Sequence, residues 1–170
     1  MTDAPQLSYA DYFEHPVKRG FVRAVERLSG QRKLQKLYEE YRANLAHEPF
    51  FAAAIRLLEL DVQFNAARLA GIPATGPLVV VANHPFGFLD GLLIAWIVSL
   101  RRMDFKVLTN AVLDGAPEAR DWLLPIDFAP TKEAQKVNLA TRAEALQRLG
   151  NGECIVVFPA GGVSTSPTPF

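Results

Sequence analysis

The feature that most limits the folds open to this chain is a Val-rich run, Pro77–Ala82, that stops at Asn83-His84-Pro85. A turn containing Gly87 follows, then Asp90, and a second apolar run extends over Leu89–Leu100. A short continuous apolar run bounded by breakers is the pattern of a strand buried on both faces. The longer run predicts a helix with a carboxylate in its first turn. The same alternation continues downstream. Phe105–Thr109 reads as a second strand, Asn110–Gly115 as a short helix or turn, and Trp122–Phe128 as a third strand. Thr131–Leu149 reads as a long helix capped by Thr131 and ended by Gly150-Asn151-Gly152, with Leu139, Ala143, Leu146 and Leu149 on one face. Glu153–Phe158 is the next buried strand. Strands alternating with helices predict an α/β domain built on a largely parallel mixed sheet flanked by helices. Such sheets bind ligands at the carboxyl ends of their strands. His84 and the Pro159–Ser164 loop both lie at such ends.

Helices are expected upstream of the sheet. Phe21, Val22, Val25 and Leu28 recur at helical spacing over Val17–Ser29, and Leu34, Leu37, Tyr38 and Tyr41 continue that spacing to about Ala46. Pro49 opens a further helix over Phe50–Leu58. Leu60, Val62 and Phe64 alternate with Asp61, Gln63 and Asn65, which predicts a short strand. The division expected is an N-terminal helical segment, 1–59, and an α/β domain, 60–170. Between positions 18 and 36 there are seven basic residues and one acid, Glu26. Lys18, Arg19, Arg23 and Arg27 either form the solvated face of a helix covering the core or meet an anionic membrane surface.

Composition narrows the partners. Eighteen basic and eighteen acidic residues cancel, so nothing points to nucleic acid. No apolar run approaches the roughly 18–20 residues of a membrane span. The first residues show neither the basic nor the apolar region of a secretory signal. The one cysteine, Cys154, excludes an internal disulfide and reads as a small buried hydrophobe.

His84 is the one histidine of three at a strand end, and imidazole can take a proton from an alcohol near neutral pH. Asp90 can hold it in the required tautomer. The plainer reading is a loop histidine bonded to backbone and an aspartate that favours the positive end of its helix. There is no Gly-x-Ser-x-Gly nucleophile and no metal-ligand set. Gly161-Gly162 is either a simple turn or a loop whose amides face an anion.

Asn83-His84-Pro85-Phe86-Gly87-Phe88-Leu89-Asp90-Gly91, with Val156-Val157-Phe158-Pro159-Ala160-Gly161-Gly162-Val163-Ser164 about seventy residues on, resembles the glycerolipid and lysophospholipid acyltransferases. The nearer resemblance is to the subgroup of lyso-ornithine-lipid acyltransferases and haemolysin-like proteins. It implies transfer of a fatty acyl group from acyl-carrier protein or coenzyme A, as thioester substrate with no bound cofactor, to a hydroxyl of a lyso-lipid or lipid precursor. His84 would be the general base and Asp90 its orienting partner. Asn83, Pro85, Phe86, Gly87, Asn110, Phe158, Pro159, Ala160, Gly161 and Gly162 would bind substrate. The resemblance further implies a cytoplasmic protein, peripheral on the inner face of the membrane. It also implies that the C-terminal part of the family domain lies beyond Phe170.

Three departures shape the expectation. Five residues, not the usual four, separate His84 from Asp90, and Gly87 can absorb the extra one. Ala160 stands where most relatives carry Glu, and Gly162 where some carry an acid. No phosphate-binding Arg accompanies Thr109-Asn110-Ala111, and Arg120 is a weak substitute. These losses favour an acceptor without phosphate. The other readings are a membrane-binding domain without catalysis and an acyl hydrolase in which His84 activates water.

Overall fold

The computed structural model describes residues 31–110 and 117–159. The expected helix over Val17–Ser29, the Asn110–Gly115 turn after its first residue, and the loop beyond Pro159 lie outside the described residues.

Two helices precede the sheet: α1, Gln31–Glu40, which continues as a wider π-helical turn over Tyr41–Leu45, and α2, Phe50–Leu57. Pro49 stands immediately before α2, as expected. A short α3, Ala66–Ala70, begins at Asn65, whose side chain accepts the Arg68 N–H at 3.0 Å. There follow β1 (Leu78–Val81), α4 (Phe88–Ser99), β2 (Phe105–Asn110), α5 (Pro117–Arg120), β3 (Leu123–Ile126), α6 (Lys132–Gly150) and β4 (Cys154–Val157).

The strands form one sheet in the order β1-β4-β2-β3, and every pairing among the described residues is parallel. Alternate residues face opposite sides. Phe105, Val107, Cys154 and Val156 are buried against α2 and α4, in a core that includes Phe51, Leu92, Ala95 and Val98. Leu124 and Ile155 face the other way, onto Ala145 of α6. The handedness of parallel crossovers accounts for this division. The step from β1 to β2 and the step from β3 to β4 run in opposite directions across the sheet, so their helices fall on opposite faces. Cys154 is fully buried, and burial pushes its thiol pKa up, in keeping with an inert packing residue.

Three expectations need correcting. Leu60–Asn65 forms no strand; it runs as irregular backbone into α3. Its alternation finds no strand to pair with among the described residues, whose one sheet is built from β1, β4, β2 and β3. Next, β1 is not buried on both faces. As an edge strand beyond the reach of α6 it leaves Val79 51% and Val81 64% exposed, while Leu78 and Val80 pack on the core. Finally, α6 turns a different face to the sheet. Ala134, Thr141 and Ala145 are its buried residues, whereas Leu139 and Leu146 are each 58% exposed. Small residues let the helix sit close to the sheet, and hydrogen bonds set its rotation. Thr141 Oγ1 donates to the Pro125 carbonyl at 2.6 Å. The Asn138 amide exchanges two bonds with the backbone of Asp127. Thr131 caps the helix as expected, accepting the Ala134 N–H at 3.1 Å.

The amino end of the sheet is tied together by Arg102. The sequence places it with Arg101 as a basic pair favoured by the dipole at the end of α4. Instead its side chain is 1% exposed and donates to the carbonyls of Pro73, Gly76 and Gly152 and to both carboxylate oxygens of Asp104. One guanidinium thus joins the segment before β1, the exit of α4 and the turn before β4. Arg102→Met should cost about 1.5–3 kcal/mol in a denaturant titration, because it removes the buried guanidinium that bonds three separate segments of backbone and Asp104. The hydrogen bonds from Arg102 hold the Asp104 carboxyl below its ordinary 3.8. A lowered carboxylate pKa stabilises the fold above the unfolded value and is lost as pH falls through the folded one. Asp104→Asn should therefore flatten the acid limb of the stability curve as pH falls from that unfolded value through the folded one, measured by thermal denaturation across pH.

Candidate active site

The carboxyl ends of β1, β2 and β4 share one edge of the sheet, and the sequence motifs converge there. β1 ends at Val81, in register with Val157 of β4, and the Ala82 N–H still bonds the Val157 carbonyl at 3.3 Å. Two residues further on, the His84 ring stacks on Phe158, with centroids 4.3 Å apart and planes tilted by 30°. Phe158 is itself buried and closes one side of the imidazole.

The chain then turns through Pro85, Phe86 and Gly87. Gly87 has φ 62° and ψ −122°, a conformation essentially reserved for glycine, and it is the last residue before α4. This turn accommodates the fifth residue between His84 and Asp90. Asp90, in the first turn of α4, reaches back so that its Oδ2 accepts the Phe86 N–H at 2.7 Å. That bond and the positive end of the helix together hold the carboxylate. The same Oδ2 lies 3.4 Å from His84 Nδ1. Both side chains are largely buried, 21% exposed for His84 and 13% for Asp90. Nδ1 is buried without a hydrogen-bond partner. The separation is slightly longer than an ordinary N–H···O bond, and a small ring rotation would bring the two atoms within hydrogen-bond distance. A proton on Nδ1 facing Asp90 leaves the lone pair on Nε2, which is the arrangement of a histidine base.

The other expected site residues divide into three groups. Asn83, Pro85, Phe86 and Gly87 form the loop that carries His84 to Asp90, and Phe86 is 73% exposed. Asn110, the last residue of β2, and Pro159, just past β4, lie at the same carboxyl edge. Ala160, Gly161 and Gly162, with Lys18, Arg19, Arg23 and Arg27, lie outside the described residues. Arg120 lies on α5 immediately before β3, hence at the amino end of the sheet and away from His84. It cannot substitute there for a phosphate-binding arginine. Among the described residues no group of three or more His, Cys, Asp or Glu side chains is arranged to hold a metal. No helix among them is long and apolar enough to cross a membrane.

One feature of the site was not expected from the sequence. A cavity of about 80 Å³, lined almost wholly by apolar atoms, begins beside Phe88 and Gly91 in the first turn of α4. Tyr38 and Tyr41 of the N-terminal helical segment line it too. The signal available was the pair of aromatics one helical turn apart, which are 7% and 5% exposed.

The family model described as Acyltransferase matches residues 63–168, well over half of the chain. The chain belongs to the acyltransferase family. The match starts just before α3 and takes in the whole sheet, so it includes His84, Asp90 and Phe158. No curated protein and no solved structure matches the chain.

Gly87→Ala should destabilise this acyltransferase domain by about 1–3 kcal/mol, the usual cost of forcing a side chain into such backbone. Chemical denaturation measures the loss. A cost near zero would mean that the turn does not need the conformation that brings Asp90 to His84.

Proposed function

We propose that the protein transfers a fatty acyl group from an acyl thioester, acyl-carrier protein or coenzyme A, to a hydroxyl of a lyso-lipid or lipid precursor. The observation that carries this reading is His84 Nδ1, buried 3.4 Å from Asp90 Oδ2 in a chain of the acyltransferase family. Asp90 keeps the proton on Nδ1 and orients the ring. Nε2 of His84 takes the proton of the acceptor hydroxyl as its oxygen attacks the thioester carbonyl. The tetrahedral intermediate expels the thiolate, which recovers that proton from His84. An ester and a free thiol result, and the enzyme returns to its starting state. Phe158, stacked on the imidazole, excludes water from one face of the base.

The acceptor is a phosphate-free lipid head group. No arginine stands near Asn110 in the sequence, and Arg120 lies at the far end of the sheet. The reaction runs at the cytoplasmic face of the membrane, where acyl thioesters meet lipid acceptors, and the basic residues Lys18, Arg19, Arg23 and Arg27 hold the protein to that anionic surface.

The test is thiol release from acyl-carrier protein and coenzyme A thioesters, with a panel of lyso-lipids and without them. Release that requires an acceptor is expected from the wild type. His84→Ala should lower turnover by roughly 10²–10⁴-fold while leaving the fold intact, and Asp90→Asn should lower it too. Equal turnover by wild type and His84→Ala would contradict the mechanism. Fatty acid released without any acceptor would make the protein a hydrolase. A strict preference for a phosphorylated acceptor would overturn the assignment of acceptor class.

A further inference from the structure

α6 carries an exposed stripe that the sheet does not use. The helix packs through Ala134, Thr141 and Ala145 and bonds β3 through Asn138 and Thr141. Lys132, Gln135, Leu139, Arg142 and Leu146, all exposed, follow one another at alternating three- and four-residue steps on the side turned to solvent. Such steps keep side chains in one line, the spacing of the seam that one helix presents to another. At about 1.5 Å per residue, the stripe from Lys132 to Leu146 is roughly 21 Å long. Lys136 flanks it and is also exposed.

The stripe is one-sided in charge. Lys132, Lys136 and Arg142 are cations with no ion-pair partner among the described residues. The two acids of α6, Glu133 and Glu144, lie on the other side of the helix, and Glu144 is engaged by Arg148 at 2.7 Å. Asp127, ahead of the helix, turns its carboxylate to the Ala129 N–H at 2.9 Å. Single exposed leucines are ordinary on a protein surface. Leu139 and Leu146, each 58% exposed, stand instead one heptad apart among those cations. Ala129, Pro130, Lys132, Leu139 and Arg142 border an open groove of about 550 Å³. A cationic, leucine-bearing stripe with a groove at one end fits an acidic protein that lays a helix along it and seats a side chain in the groove. A flat lipid surface matches the charge but not the groove.

We infer that this face of α6 docks an acidic helical protein, and that the docked protein is the carrier of the acyl thioester. The second half rests on the acyltransfer reading, whereas the docking surface is a statement about charge and shape alone. α6 runs against the strands, so Lys132 and the groove lie at the carboxyl edge of the sheet, the edge that holds His84. β3 and β1 are three strand spacings apart, roughly 14 Å. A protein seated at the start of α6 therefore presents its thioester to the base on an extended arm. Coenzyme A has no helix to lay along the stripe, so the carrier protein is the donor this surface selects.

The test measures binding of unacylated acyl-carrier protein to the full chain at low and high salt, which separates docking from turnover. Acyl transfer from acyl-carrier protein and from coenzyme A is measured beside it, as is binding to vesicles of phosphatidylglycerol and phosphatidylcholine. Carrier binding should weaken steeply as salt rises. Lys132→Glu, Lys136→Glu and Arg142→Glu together should weaken it by roughly tenfold or more, and Leu139→Glu alone should weaken it too. Glutamate is a good helix former at exposed positions, so these variants should fold, and circular dichroism checks that they do. Arg68→Glu, on α3 ahead of β1, is the control for a change of net charge and should leave carrier binding as it was. Carrier binding that the triple variant loses, with no acyl transfer from either donor, would leave the docking face standing and overturn the acyltransfer reading. Acyl transfer from the carrier that ignores both the triple variant and Leu139→Glu would overturn the inference and leave that reading standing. Absence of carrier binding by the folded wild type would also overturn it, whether or not coenzyme A serves as donor. Vesicle binding lost in the triple variant, with carrier binding unchanged, would make the face a membrane surface and overturn it as well.

Discussion

Parallel pairing is the constraint on which the rest of this molecule depends. Because the four strands run in one direction, their carboxyl ends fall along a single edge, and His84 beyond β1 meets Phe158 beyond β4 there. The opposite edge is free for structural work. Arg102 does that work, binding three carbonyls and Asp104 where no substrate is proposed to come. The fold thus separates a rigid amino end from a carboxyl end whose groups are open to chemistry.

At that carboxyl end, position is secured by backbone more than by side-chain bulk. Gly87 makes a turn that other residues resist, and the turn aims the Phe86 N–H at Asp90. The carboxylate is then held by the helix on one side and by Phe86 on the other, so it can face His84 without depending on His84 for its place. A carboxylate anchored in this way suits the proposed role of orienting a base through repeated proton transfers. Phe158, just past the neighbouring strand, adds a flat apolar wall that opposes turning of the ring out of its present plane.

Much of this was legible in the sequence, for identifiable reasons. The strand-loop-helix around His84 and Asp90 carried its own punctuation in Pro85, Gly87 and the flanking apolar runs. Thr131 and Pro49 marked helix starts through local chemistry that tertiary packing did not override. What failed needed non-local knowledge. The run at β1 looked buried on both faces, but its place at the sheet edge was fixed by β4 pairing with it from more than seventy residues away. Leu139 and Leu146 looked like the inner face of α6, yet Thr141 and Asn138 turned the helix by bonding to β3. The alternation at Leu60–Phe64 had no partner strand. Arg102, at the end of an apolar helix, gave no sign that three distant carbonyls would surround it. The cavity was hidden for the same reason, since its wall joins helices near residue 40 to a turn near residue 90.

The claim that Asp90 prepares His84 as a base can be tested without substrate. The nitrogen-15 shifts of the neutral His84 imidazole, assigned by comparison with His84→Gln, report which ring nitrogen carries the proton. The proton should be on Nδ1, facing Asp90, with Nε2 bare, and Asp90→Asn should weaken that preference. A neutral ring protonated on Nε2 in the wild type would leave no lone pair towards an acceptor and would contradict the account.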